Sequence, residues 1–152
     1  MKSTKQAVFM LGEEEYSLDI MDVNTIEKVI AIEPVASFPK NLKGVIKLRG
    51  DVIPVYSLRR KFGLEDVEPD LDTRFIITTS NGILTAYEVD KMTEIVQVDE
   101  DLIYEVPSIV KAKDTTYMKA VTNVNGRLVI ILNNDGILTE EEQNKLKAVI
   151  KK

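Results

Sequence analysis

Arg74–Val89 reads RFIITTSNGILTAYEV, and Met118–Leu132 reads MKAVTNVNGRLVIIL. In each, two β-branched runs flank an Asn-Gly pair, Asn81-Gly82 and Asn125-Gly126. Asn and Gly tolerate the positive φ angles that a two-residue hairpin turn requires, so both stretches are expected to be β-hairpins. Working outward, similar runs recur at Gln6–Leu11 and Tyr16–Ile20 around Gly12-Glu13-Glu14-Glu15. They recur again at Val45–Leu48 and Val52–Tyr56 around Arg49-Gly50-Asp51. A chain punctuated this often by turns is expected to be mainly β.

The runs also repeat one another. Phe9–Val23 aligns with Phe75–Val89 at an offset of 66, and the register continues into Val23–Ile30 against Val89–Val96. At an offset of 76, Val45, Leu48, Gly50, Val52 and Val55 meet Val121, Val124, Gly126, Leu128 and Ile131. Identity is low, and shared β patterning without duplication is the alternative. A repeat near 70 residues with about five short strands suits a small barrel, whose closure removes exposed strand edges. The expected architecture is two similar five-stranded barrels packed together. The first is expected over about 15–66, the second over 1–14 plus 72–138, with acidic Gly63–Asp72 linking them.

Two segments read as helical. In Asp19–Val29, Ile20, Val23 and Ile26 recur at intervals of three, as on one face of a short helix, and a core-facing stripe would look the same. Thr139-Glu140-Glu141-Glu142 reads as a capping box opening a helix over 139–152. Leu146, Val149 and Ile150 form its apolar stripe, and Lys145, Lys147, Lys151 and Lys152 lie towards its C-terminus.

The 152 residues contain neither histidine nor cysteine. That removes the commonest general base near neutral pH, the commonest transition-metal ligand and all thiolate chemistry. No apolar run approaches the roughly 20 residues of a membrane span, and no signal-peptide core follows the N-terminus. A cytoplasmic binding protein, with no cofactor and no membrane insertion, is the expectation. One candidate metal site is Ile131–Glu142, ILNNDGILTEEE, which resembles a calcium loop but has Ile131 at the first ligand position. A divalent-metal enzyme using Asp135 and Glu142 is the reading this motif would support. Net charge is −5, yet Lys40–Lys61 holds seven basic residues and one acid. That stretch suggests a local docking surface, or alternatively a small-barrel nucleic-acid site.

The Gly44–Leu64 sequence, GVIKLRGDVIPVYSLRRKFGL, resembles the signature of the CheW-like family. The family pattern has an apolar Gly-Val, then N-L-R-G, an apolar pair before Pro-Val, and D-L-R before a basic residue and Phe. Upstream, LGEEEYSLDIMDVNTIEKV resembles the family opening, and Pro39 falls where a proline precedes the Gly-Val. The resemblance implies a fold of two SH3-like barrels and a non-enzymatic chemotaxis adaptor. The implied partners are the regulatory domain of a CheA-type histidine kinase and the cytoplasmic tip of methyl-accepting chemoreceptors. It further implies a receptor-binding set of Ile20, Val23, Ile26 and Arg49, and a kinase-binding set of Val45, Lys47, Leu48, Gly50 and Val52. Three positions depart from the pattern. Thr25 stands for the usual Glu that partners the motif arginine, Lys47 for Asn, and Ser57 for Asp. Arg49 is therefore expected to pair with Glu27, with a backbone oxygen, or with a partner's acid.

Overall fold

Both Asn-Gly hairpins form in the computed structural model, which describes residues 2–106 and 117–150. Asn81 and Asn125 adopt φ of 52° and 51°, as the turn chemistry requires. The strands are β1 (Ser3–Leu11), β2 (Glu14–Asp19), β3 (Val23–Lys28), β4 (Leu42–Leu48), β5 (Asp51–Ser57), β6 (Arg74–Ser80), β7 (Ile83–Val89), β8 (Lys91–Asp99), β9 (Ile103–Tyr104), β10 (Met118–Val124) and β11 (Arg127–Leu132). The helices are α1 (Leu58–Lys61) and α2 (Glu140–Ile150).

Two sheets result, ordered β8-β1-β2-β11-β10-β9 and β3-β6-β7-β5-β4. Each curls around its own apolar cluster. Val8, Val98, Val124 and Val129 fill the six-stranded sheet, and Ile46, Ile53, Val55, Phe75 and Ile77 fill the five-stranded one. The strand period of two then turns alternate residues, such as Phe9, Ile76 and Tyr87, into a shared core between the sheets. The open side of the five-stranded sheet closes through paired backbone bonds between Glu33 and Val45, at 2.8 and 2.9 Å. In the other sheet, a 3-10 turn over Glu100–Leu102 carries β8 into the two-residue β9.

The internal repeat is real in the strand pairing but lies three residues from its apparent register. In both sheets the parallel contact joins equivalent strands, Ser17 opposite Ile131 and Ala86 opposite Val55. Ser17 thus corresponds to Ala86, an offset of 69, whereas Val55 and Ile131 keep the offset of 76. The division into barrels also differs from the expected one. β2, expected in the first barrel, pairs with β1 in the six-stranded sheet. The β6–β7 hairpin, expected in the second barrel, completes the five-stranded sheet with β3, β4 and β5. The halves have exchanged their first hairpins, so each barrel draws strands from both. Gly63–Asp72 consequently connects two strands of one sheet and does not link the barrels. Long-range pairing decides this allocation, and no local propensity encodes it.

The expected helix over Asp19–Val29 is a single 3-10 turn at Ile20–Asp22 followed by β3. A bulge explains the misleading spacing. Val23 faces Thr78, Thr25 faces Ile77 and Ile26 faces Ile76, so Asn24 is an extra residue. One inserted residue puts Val23 and Ile26 on the same face of the sheet, at an interval of three that mimics a helix. β8 carries the matching bulge, with Phe9 opposite Met92 and Val8 opposite Glu94.

The capping box at the C-terminal helix does form. The Glu142 backbone N–H donates to Thr139 Oγ1 at 3.1 Å, and the Thr139 N–H donates to Glu142 Oε1 at 2.9 Å. Leu146 is fully buried in the shared core. The Val149 and Ile150 side chains, and Lys151 and Lys152, lie outside the described residues.

Candidate docking surface

Arg49 sits at the tip of the β4–β5 hairpin with φ of 48°, followed by Gly50 at 85°. Its repeat counterpart is Asn125, at nearly the same φ. A left-handed backbone suits Asn and Gly and strains a long L-side chain, so arginine is held here against its intrinsic preference. Barrel closure brings this tip beside β3, where Arg49 Nη1 donates to Glu27 Oε2 at 3.2 Å. Hydrogen bonds from Thr25 and then from Arg49 hold the Glu27 carboxyl below the usual range. Glu27 therefore supplies the carboxylate to Arg49, two residues after the position where the resemblance places one. The Arg49 side chain nonetheless remains 65% exposed, free to meet a partner.

The receptor set named from the sequence gathers on one edge. Val23 and Ile26 lie on β3, half-buried on the face that carries Ile76. Val23 packs directly against the shared core, so it is structural as well as peripheral. Ile20 is half-buried in the 3-10 turn just before them, and Arg49 arrives from the opposite strand end through Glu27. Val23→Asp is accordingly expected to lower unfolding stability by about 1–3 kcal/mol, measured by urea titration, because a carboxylate would face apolar neighbours without a partner.

The kinase set is divided. Val45 is buried, with its backbone engaged by Glu33, and Leu48 packs against the interior of the five-stranded sheet. Lys47, Gly50 and Val52 remain at the surface, with Lys47 directly opposite Val52 across the β4–β5 ladder. Val52 is 50% exposed, an apolar side chain facing solvent beside a cation.

The basic stretch is not a free positive patch. Lys43 pairs with Glu88 at 2.8 Å, Lys47 with Glu33 at 3.7 Å, Arg59 with Asp90 at 2.5 Å, and Arg60 with Asp66 at 2.8 Å. Lys61 lies over the Tyr117 ring at 5.5 Å. Asp90 also accepts the Gly12 backbone N–H at 2.8 Å. Burial opposes ionisation of Asp90, but the Arg59 and Gly12 bonds prevail and hold its carboxyl below the usual range. With most of these charges already paired within the chain, little counterion release is left for a phosphate backbone, and the nucleic-acid reading finds no support. The Ser57 departure has a local role, since its hydroxyl caps α1 by accepting the Arg60 N–H at 3.2 Å.

The calcium-like loop has also been put to other use. Glu142, its final ligand by pattern, is buried and accepts the Tyr56 hydroxyl at 2.9 Å. Ile131 is buried in β11. Among the described residues no three acidic side chains converge as a metal group would. Nor is any helix there long and apolar enough to cross a membrane. The Glu142–Tyr56 and Arg59–Asp90 links carried no sequence signal, since each joins residues distant in the chain.

Comparison with known proteins agrees with this geometry. The family model described as CheW-like domain matches residues 6–142. The chemotaxis protein CheW of Helicobacter pylori is 34% identical over 134 residues, covering 88% of this chain and 80% of that protein. The chemotaxis protein CheW of Bacillus subtilis is 30% identical over 137 residues, covering 90% and 88%. The crystal structure of the scaffolding protein TtCheW from Thermoanaerobacter tengcongensis superposes with a TM-score of 0.85 at 30% identity, covering 93% of this chain and 96% of that one. With its motif arginine on a strained hairpin tip, its two barrels and a match running almost end to end, this chain belongs to the CheW-like domain family.

Proposed function

We propose that this protein is a non-enzymatic cytoplasmic adaptor that couples the regulatory domain of a CheA-type histidine kinase to the cytoplasmic tip of a chemoreceptor. Membership of a chemotaxis scaffold family supports the adaptor role. The observation that carries the surface assignment is Arg49, an exposed guanidinium kept in a left-handed turn where its repeat counterpart is asparagine. Bivalent binding raises the effective concentration of each partner for the other. Val23, Ile26 and Arg49 would meet the receptor, and Lys47, Gly50 and Val52 the kinase.

Arg49→Asn provides the discriminating test. Asparagine suits the turn, so the variant is expected to unfold at the same temperature as the wild type or higher. It is expected to bind receptor tip or kinase regulatory domain at least about fivefold more weakly, a loss of roughly 1 kcal/mol. Arg49→Lys should recover part of the affinity, because an ammonium cannot reproduce a planar fork. Titration calorimetry with each partner at two salt concentrations reads these effects. Equal affinities for all three proteins would leave Arg49 without a binding role.

A further inference from the structure

The repeat relates two places on the molecule that are furnished differently. In one, α2 follows Leu138, bonds Tyr56 through Glu142, buries Leu146, and places Lys147 at the lip of a cavity beside Val52 and Ile83. The repeat places Phe62 where Leu138 stands, Leu132 at Tyr56, Glu14 at Ile83 and Leu128 at Val52. The chain following Phe62 forms no helix there. It is drawn aside by the Arg60–Asp66 ion pair and by the Arg59 bond to the Glu65 carbonyl at 2.8 Å. Aromatic rings stand in for part of the absent helix, with Phe62 centred 4.9 Å from both Tyr16 and Tyr117.

The substitution is incomplete. A cavity of about 450 Å³ remains over Leu11, Tyr16, Phe62 and Leu64. Beside it, across the β1–β2 turn over Met10, Leu128 and Ile130, lies a cavity of about 630 Å³, the counterpart of the one of about 510 Å³ that stays open beside α2. Glu13 and Glu14 line both cavities on this face. Leu128 is 64% exposed. At the positions of Glu13 and Glu14, the α2 site has the uncharged Gly82 and Ile83. Glu15 is neutralised by Arg127 at 3.3 Å, whereas Glu13 has no cationic partner among the described residues.

We propose that this face is a second helix berth, which takes an amphipathic helix of a partner protein bearing an apolar edge flanked by lysine or arginine. The repeat supplies the shape argument, since an equivalent groove in this same chain holds a helix. The added carboxylates supply the charge argument, since they favour a cationic occupant over an acidic one. A second copy offering its own α2 fits poorly, because Leu146 is already buried and Glu140–Glu142 would face Glu13 and Glu14.

The test uses the full chain, isotopically labelled, with an 18-residue Leu/Lys amphipathic peptide and a Leu/Glu peptide of the same apolar pattern. The Leu/Lys peptide is expected to shift the amide signals of Gly12, Phe62, Leu64 and Leu128, and to bind at least tenfold more tightly than the Leu/Glu peptide. Glu13→Lys and Leu64→Glu, both at exposed positions, should each weaken it at least fivefold, while Leu71→Ser, outside both cavities, should leave it unchanged. Equal binding of the two peptides, shifts centred on Val52, insensitivity to Glu13→Lys, or no binding would each overturn the proposal. Concentration-dependent self-association that perturbs these same amides would overturn it in favour of a second copy. None of these outcomes bears on the Arg49 assignment.

Discussion

Replacing Gly44 with alanine is expected to cost about 3 kcal/mol or more and to leave little folded protein at physiological temperature. Gly44 has φ of 149°, a region closed to residues with a β-carbon. It also lies in β4 where the chain from Ile32 and Glu33 crosses to close the five-stranded barrel. A β-carbon there would stand 2.2 Å from the Glu33 carbonyl oxygen and 2.9 Å from Ile32 Cγ2. The nearer obstacle is backbone, and that backbone is fixed by the Glu33–Val45 bonds, so the clash is relieved only by opening the barrel. Denaturant unfolding and amide exchange across β4 would read the loss. Gly82→Ala serves as the comparison, because its turn is strained too but has no atom within 4 Å of the added carbon. It is expected to cost about 1 kcal/mol. Similar losses in the two variants would show that Gly44 matters for its dihedral alone.

Glu142→Ala is expected to destabilise the protein by about 2–4 kcal/mol. The carboxylate accepts the Thr139 N–H, the Tyr56 hydroxyl and, at 3.3 Å, the Asn41 side-chain amide. Its removal undoes the capping box and leaves a buried tyrosine hydroxyl with no acceptor for its proton, only the donated Asn41 amide at 3.3 Å. Burial, and then the neighbouring Glu142 charge, push the Tyr56 hydroxyl above its ordinary range, so it stays protonated and donates. Tyr56→Phe removes the donor instead of the acceptor and should cost about 1 kcal/mol, since Glu142 keeps its other bonds. If the two side chains act through each other, the double variant should lose less than the sum of the single losses. Additive losses in urea titrations would mean that α2 is held by Leu146 and the cap, with no contribution from the Glu142–Tyr56 bond.

Much of the molecule was legible before folding because its signals are local. An Asn-Gly pair between β-branched runs constrains its own φ and ψ, so β6–β7 and β10–β11 end where their residues say they should. Thr139 and Glu142 are three residues apart, and a capping box needs nothing beyond that turn. The β4–β5 signature likewise placed Arg49 at a tip, because Arg49-Gly50 takes up the same dihedrals as the two Asn-Gly turns. Glu27, one of the expected partners of Arg49, is the one the structure supplies.

Other features depend on which distant segments meet, and letters read in order do not carry that. Apolar runs aligned the halves at 66, yet Ser17 and Ala86 show that hydrogen-bond pairing sets 69. β1 and β6 are buried on both faces and almost continuously apolar at their centres, so they match nearly as well at an odd shift of three. The bulge at Asn24 turned a strand into an apparent helix, since one unpaired residue changes a period of two into an interval of three. The basic stretch looked like a docking patch because its acids, Glu27, Glu33, Glu88 and Asp90, lie outside Lys40–Lys61 and reach it only when the barrels close. The sequence by itself determined the strands, their turns, the capped helix and the motif arginine, through dihedral preferences that act within a few residues. Tertiary structure alone decided the exchange of hairpins between barrels, the burial of Val45 and partial burial of Val23, and the pairing of most of the basic stretch, because each depends on contacts that exist only once both sheets have closed.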